Sequence, residues 1–113
     1  PLDIAVACLD DGKAEDVVVI DLRGRSIIAD HMIVATGRSG RQVGALADNL
    51  MERLKAAGIE GVGIEGKQAG DWVLIDAGDL VVHLFRPEVR DFYQIEKMWQ
   101  VDGASSPKVL APA

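Results

Sequence analysis

Two apolar runs joined by a short turn constrain the possible fold of this chain more than any other feature. They are residues 71–76 (DWVLID) and residues 80–85 (LVVHLF), and they are connected by Ala77-Gly78-Asp79. Glycine readily adopts a positive φ, and a three-residue connection that contains it is typical of a hairpin with a bulge. The sequence therefore predicts an antiparallel pair of strands, which must lie within a larger sheet to be stable.

Four other segments have the composition of extended chain. Residues 16–22 are a continuous run rich in β-branched side chains, which is the pattern of a central strand covered on both faces. Residues 31–36 form a second apolar strand, and residues 61–66 form a short one that contains Val62 and Ile64. Residues 26–30 are predicted to be a short extended stretch between the first two strands.

Three segments are predicted to be helices. Residues 2–9 place apolar side chains on one face and end near Gly12. A second helix begins at Ser39, because Ser39 and Gln42 have the spacing of a capping box, and Gly58 suits its left-handed cap. Its apolar positions recur at steps of three and four residues, at Val43, Leu46, Ala47, Leu50 and Leu54. A third helix starts at Pro87 and continues to about Trp99.

The predicted order is helix, strand, strand, helix, strand, strand, strand, helix. The fold class is therefore α/β (α+β), with a mixed five-stranded sheet flanked by helices. With 113 residues the chain falls in the range of one domain, which we place at residues 1–100. Residues 101–113 lack periodicity and are predicted to be a flexible C-terminal tail.

Charge and hydropathy exclude several classes of protein. The net charge is −6, from 12 basic and 18 acidic residues, and this balance disfavours direct nucleic-acid binding. No apolar run approaches the roughly 20 residues that span a bilayer, so we expect neither a membrane span nor a signal peptide, and a cytoplasmic protein. The lone Cys8 and the two histidines, His31 and His83, offer no recognisable set of metal ligands.

Several candidate sites have a functional and a structural interpretation. The loop from Gly37 to Gly40 precedes a helix and could bind a phosphate, but capping by Ser39 already explains it. Asp76 and Asp79 could share a divalent cation, although aspartates are common at tight turns.

The remaining candidates are single side chains. His83 alternates onto the same strand face as Val81 and Phe85, and a buried histidine with a hydrogen-bond partner is favoured over a catalytic base. Cys8 lies in an apolar helical stripe, where a thiol behaves as a small hydrophobe and not as a nucleophile. Trp72 fits either core packing or the anchor of an interface, and spacing alone does not decide between them. Tyr93 and Trp99 are read as packing residues of the last helix.

The series of motifs resembles the Iojap or ribosomal silencing factor family from Glu15 to Trp99. The segments that carry the resemblance are EDVVVIDLRG, DHMIVATGRSGRQV, ADNL, EGKQAGDWVLIDAGDLVVHLF and PEVRDFYQIEKMW, in this order. Their order and separations make the resemblance specific, although no single segment is decisive.

The resemblance implies a nucleotidyltransferase-like fold without that superfamily's pair of catalytic carboxylates. It also implies a translation repressor that binds ribosomal protein fourteen of the large subunit and sterically blocks association with the small subunit. No enzymatic activity and no cofactor is expected. Family members can also form homodimers, and an overlapping dimer surface would compete with the ribosome.

The family's contact surface matches Trp72, Asp76, Ala77, Gly78 and Asp79 in this chain, with Trp72 as the anchor. Ala77 departs from the larger apolar residue that some members carry there, which leaves the contribution of this position open. Two other hypotheses stay open from the residues themselves. One is a metal-dependent, nucleotide-binding enzyme, and the other is a homodimeric scaffold without a ribosomal partner.

Overall fold

The computed structural model of the protein describes residues 2–24, 29–66 and 71–93, and of residues 91–93 only the backbone. The elements occur in the predicted order: α1 (Leu2–Asp11), β1 (Glu15–Asp21), β2 (His31–Thr36), α2 (Gly40–Ala56), β3 (Gly63–Glu65), β4 (Trp72–Asp76), β5 (Leu80–Phe85) and α3 (Pro87–Tyr93). Four predictions fall outside the described residues, in whole or in part. They concern the extended stretch at 26–30, the loop at 67–70, the continuation of the last helix to Trp99, and the tail at 101–113.

The five strands form one mixed sheet in the order β1-β2-β5-β4-β3, which confirms the predicted fold class. β2 and β5 pair in parallel at the centre of the sheet, from His31 opposite Leu80 to Thr36 opposite Phe85. The other three pairings are antiparallel. The predicted hairpin is β4 with β5, and Gly78 in its turn has the expected positive φ of 81°.

The prediction that β1 is a central strand was wrong. Among the residues that the structure describes, β1 pairs with β2 alone and forms one edge of the sheet. Ile20 is buried, whereas Val17 and Val19 remain 36% and 43% exposed. A run of β-branched residues indicates two apolar faces, but it does not say whether the chain covers both of them. Here the helices lie over the centre of the sheet and leave one face of β1 partly open.

The larger core lies between the sheet and the pair α1 and α2. α2 contributes five buried apolar side chains, the same five whose spacing predicted the helix: Val43, Leu46, Ala47, Leu50 and Leu54. They pack with Ala5, Cys8 and Leu9 of α1 and with one face of the central strands. The helix ends as predicted, because Gly58 has a φ of 84° and Ile59 donates its N–H back to the Leu54 carbonyl.

A smaller core covers part of the opposite face of the sheet. It contains Ile20, Met32, Val34 and Phe85, with Val89 of α3 packed against them. The guanidinium group of Arg90 donates to the Thr36 hydroxyl at 2.7 Å and to the Asp16 carbonyl at 2.6 Å. The start of α3 is thereby tied to the edge of the sheet where β1 and β2 meet.

The start of α2 also ties two parts of the chain together. The backbone N–H of Gln42 donates to the Ser39 side chain at 3.1 Å, which is the predicted cap. The side-chain oxygen Oε1 of Gln42 accepts from the backbone N–H of Arg38, one residue before the N–H that the capping box predicts. The side-chain Nε2 of Gln42 donates to the backbone carbonyls of Gly12 and Lys13. One side chain therefore closes the helix and fixes the turn between α1 and β1.

We expect Gln42→Ala to lower the free energy of unfolding by about 1 to 2 kcal/mol, because it removes a capping side chain and its two hydrogen bonds to the turn between α1 and β1. Urea denaturation followed by circular dichroism measures this loss. Arg41→Ala is the matched control, since Arg41 is the exposed neighbour in the same helical turn. An equal loss in both variants would mean that the side-chain bonds of Gln42 contribute nothing specific.

Candidate functional site

The candidate site lies on the sheet face that α1 and α2 do not cover. Register pairs Trp72 with Phe85, Leu74 with His83 and Asp76 with Val81, so these six side chains project from the same face. Trp72 and Asp76 are four residues apart on β4, which separates them by roughly 13 Å along the strand. Trp72 and Asp76, two of the residues predicted to form one contact surface, therefore project from the same face of the sheet.

Three rings on this face form a tight aromatic group. The Trp72 ring lies 4.9 Å from the Phe85 ring, centroid to centroid, and the His83 ring is stacked parallel to Phe85 at 5.9 Å. The Trp72 indole N–H donates to His83 Nδ1 at 3.0 Å. Phe85 is fully buried and Trp72 is half-buried, so the indole is held on one side and partly exposed on the other. Spacing left Trp72 undecided between packing and interface, and the geometry is compatible with both.

His83 is the buried histidine that strand alternation predicted. Its side chain is 8% exposed, and burial lowers its pKa from the ordinary value of 6.5 to about 4. The ring is therefore neutral near pH 7, and because Nδ1 accepts from Trp72, its proton lies on Nε2. His83 therefore orients the indole of Trp72.

The hairpin turn is held by one local hydrogen bond and by bonds from the start of β2. A carboxylate oxygen of Asp76 accepts the Gly78 N–H at 3.0 Å, and the Asp79 carbonyl accepts from the N–H groups of Asp30 and His31. The Asp76 and Asp79 side chains are exposed. Ala77 is only 8% exposed and packs into the core beneath α1 and α2. The turn therefore presents two carboxylates and the Gly78 backbone, while the methyl group of Ala77 points inward.

Sequence reasoning missed two residues of this surface, Leu74 and Val81. Both are half-buried and lie on the same face: Leu74 is between Trp72 and Asp76 on β4, and Val81 is opposite Asp76 on β5. Alternation from Trp72 identifies Leu74, and alternation from His83 identifies Val81, once the two strands are aligned. We call the set Trp72, Leu74, Asp76, Val81, Gly78 and Asp79 the Trp72 face.

The polar groups of the loop before α2 make hydrogen bonds within the protein. The Gly37 N–H donates to the Phe85 carbonyl, the Arg38 N–H donates to Gln42, and Ser39 caps the helix. A Cβ at Gly37 would come within 2.8 Å of the Val43 side chain, so close packing explains this glycine. Capping, which the sequence favoured over phosphate binding at this loop, is what these contacts show.

The other candidates do not assemble into a catalytic group. Cys8 is buried in the core beneath α2, and burial raises the pKa of its thiol. His31 begins β2 and its side chain projects from the face opposite to His83. Among the residues that the structure describes, no group of three or more potential metal ligands comes together, at the turn or elsewhere. Within these same ranges no helix is long and apolar enough to cross a membrane.

The chain is similar to a family of known proteins along nearly its whole length. The family model described as ribosomal silencing factor during starvation matches residues 1–111. A ribosomal silencing factor from Zymomonas mobilis is 53% identical over 98 residues, which cover 87% of this chain and 74% of that protein. A crystal structure of a protein from Chromobacterium violaceum has a TM-score of 0.84 and 44% identity, covering 98% of this chain and 90% of that chain.

Two more distant relatives come from eukaryotes. Mitochondrial assembly of ribosomal large subunit protein 1 from mouse is 35% identical over 87% of this chain and 44% of its own length. The chloroplastic protein Iojap of maize is 29% identical over 77% of this chain and 38% of its own length. The resemblance to the Iojap and ribosomal silencing factor family that the motifs indicated is thereby confirmed.

The lowered pKa of His83 predicts a specific loss of stability in acid. The pKa of His83 in the folded protein is about 4, below the ordinary value of 6.5. The contribution of neutral His83 to the free energy of unfolding is therefore fully present above pH 6.5 and is lost as the pH falls toward 4. The loss amounts to roughly 3 kcal/mol over this window. His83→Asn retains a hydrogen-bond acceptor near the position of Nδ1 but does not titrate, so we expect a flatter profile.

Urea unfolding of both proteins at intervals from pH 7 to pH 4.5 measures the difference. The carboxylates are the same in the two proteins, so the difference between their profiles isolates the histidine. Parallel profiles would contradict the assignment of a buried, neutral His83.

Proposed function

The chain belongs to the ribosomal silencing factor family, and we propose that it represses translation by docking on the large ribosomal subunit through the Trp72 face. The contact we propose is ribosomal protein fourteen of the large subunit. A domain seated there would exclude the small subunit by its volume alone. The activity then depends on shape and contact, and no residue has to transfer a proton or a group.

Support for this proposal comes from the half-buried Trp72, which lies at one end of the Trp72 face, roughly 13 Å from Asp76. Tryptophan is enriched among residues whose truncation greatly weakens an interface, because it offers a large apolar area with few rotatable bonds. Here the Phe85 ring supports the indole and the hydrogen bond to His83 fixes its orientation. An anchor that is already ordered loses little conformational entropy when the partner binds.

The charge of the Trp72 face favours a basic partner. Asp76 and Asp79 are exposed at the turn, and the chain as a whole carries a net charge of −6. Complementary charges guide association and fix the orientation of the partner more than they add affinity. An acidic surface is also poorly suited to bare ribosomal RNA, which supports a protein contact on the subunit.

The names of the relatives support the large subunit as the target. The mouse relative is named for assembly of the large ribosomal subunit, and the bacterial relatives are named ribosomal silencing factors. Steric blocking of subunit association is consistent with both names. A factor that binds the joining surface is associated with the large subunit and also prevents translation.

Trp72→Ala is expected to weaken binding to large subunits by roughly thirtyfold or more, which corresponds to the loss of an interface anchor. Co-sedimentation of the variant with purified large subunits through a sucrose cushion measures this. The substitution also uncovers Phe85 and leaves His83 without its donor, so folding has to be verified by circular dichroism at the assay temperature.

Leu74→Ala provides a second test with less effect on the fold, because Leu74 lies beside Trp72 on the same face and is only half-buried. We expect it to weaken co-sedimentation as well. If both folded variants bind as the parent does, the Trp72 face is not the docking surface.

The double substitution Asp76→Asn and Asp79→Asn tests the acidic turn. Asparagine retains the oxygen that accepts the Gly78 N–H, and the structural role of Asp79 comes from its backbone carbonyl, so the turn stays intact. Removing two charges from this face should slow association with large subunits by about tenfold at low salt, and the difference should shrink at high salt.

The matched control is the double substitution Glu52→Gln and Glu60→Gln, which makes the same change in net charge at exposed positions on α2 and just beyond its end. Stopped-flow measurement of association should leave this control close to the parent. Equal slowing in both double variants would assign the effect to overall charge and not to the turn.

A further inference from the structure

A second apolar surface lies at the opposite edge of the sheet from β3, between α1 and the edge strand β1. Among the residues that the structure describes, three large hydrophobic side chains are exposed, and all three are here: Val6 at 37%, Val17 at 36% and Val19 at 43%. Val6 and Val17 line one groove of about 420 Å³, together with Leu2, Asp3, Ala7 and Asp10. Val19 lies two residues beyond Val17 on β1 and pairs with Ile33 of the larger core, so it projects from the sheet face that α1 and α2 cover.

The backbone of β1 adds hydrogen-bonding groups to this apolar patch. Within the described part of the chain no strand pairs with the outer side of β1, and an edge strand directs half of its N–H and C=O groups away from the sheet. The ladder with β2 shifts register between Glu15 and Val18, and Asp16 has a positive φ of 49°. This irregularity limits regular pairing to the residues from Val18 to Asp21, which suits a short added strand and not a long one.

The charges around the groove indicate the chemistry of the occupant. Asp3 and Asp10 lie on α1 at its two ends, about 10 Å apart along the helix axis, and both are exposed. At the ends of β1, the carboxylates of Glu15 and Asp21 already pair with Arg38 and Arg23. The groove therefore presents two carboxylates beside valines, which complements lysine or arginine next to apolar side chains.

The same charges disfavour a second copy of this chain as the occupant. A symmetric pair of β1 strands would place the acidic residues of two α1 helices near one another, and the shortened ladder would give few hydrogen bonds in return. A basic partner meets no such repulsion.

We propose that the groove between α1 and β1 is a second protein-docking surface, which binds a short extended segment of a basic protein by strand addition to β1. The valines of the segment, or side chains of similar size, would pack on Val6, Val17 and Val19, and its cationic residues would pair with Asp3 and Asp10. The surface is three strand spacings from β4, roughly 14 Å, and lies on the other face of the sheet from Trp72. It does not depend on the ribosomal proposal, and both surfaces can be occupied together.

The test is a titration of the ¹⁵N-labelled chain with a capped peptide of sequence Lys-Thr-Val-Thr-Val-Thr-Lys, which places its valines and lysines on one face of a strand. We expect amide shifts concentrated in β1 and α1, weakening with added salt. The matched peptide with glutamate in place of lysine should bind about tenfold more weakly or not at all.

Two variants locate the site. Val17→Thr combined with Val19→Thr preserves the β-branched strand but removes apolar surface, and should weaken binding of the lysine peptide by roughly tenfold. The control Val81→Thr makes one such substitution on the Trp72 face and should bind as the parent does. Equal binding of both peptides, shifts centred on β4, or no shifts at all would overturn the proposal. So would self-association of the parent chain that the double valine variant abolishes, because it would make a second copy the occupant.

Discussion

The parallel pairing of β2 with β5 is the contact on which the rest of the structure depends. These strands are far apart in sequence, and a parallel pair requires a crossover, which here consists of α2, β3 and β4. Pairing aligns Ile33 and Ala35 with Val82 and Leu84 beneath α2, and Val34 with His83 on the opposite face. Each face of the sheet therefore has an apolar centre, and the two cores form on either side of the same two strands.

The Trp72 face follows from that pairing. Because β5 is fixed at the centre, the short turn places β4 beside it with Trp72 opposite Phe85. Burial of His83 at the centre of the sheet removes its charge near neutral pH and leaves Nδ1 as an acceptor for the indole. The surface that we propose for docking, with its ordered indole and acidic turn, thus requires no feature beyond the sheet and its hairpin.

Local patterns predicted the elements of this fold well. The capping box at Ser39, the spacing of α2 and the glycine of the hairpin turn all act over a few residues, and each lies where the sequence placed it. The same patterns could not give the position of β1, since strand order depends on which distant segments pair. They could not show that Ala77 faces the core, or that Leu74 and Val81 complete the exposed face, because these facts depend on the register between strands. The hydrogen bond from Trp72 to His83 also depends on how the two strands pair, so local patterns could not predict it.

We propose that this domain acts by occupying the joining surface of the large subunit through the Trp72 face. Cryo-electron microscopy of purified large subunits with the bound protein tests it most directly, because the orientation of the domain identifies the contacting face. We expect Trp72 and the turn from Asp76 to Asp79 to lie against ribosomal protein fourteen, with α1 and α2 turned outward where the small subunit would stand. A complex in which the helices contact the subunit, or in which the joining surface stays open, would contradict it.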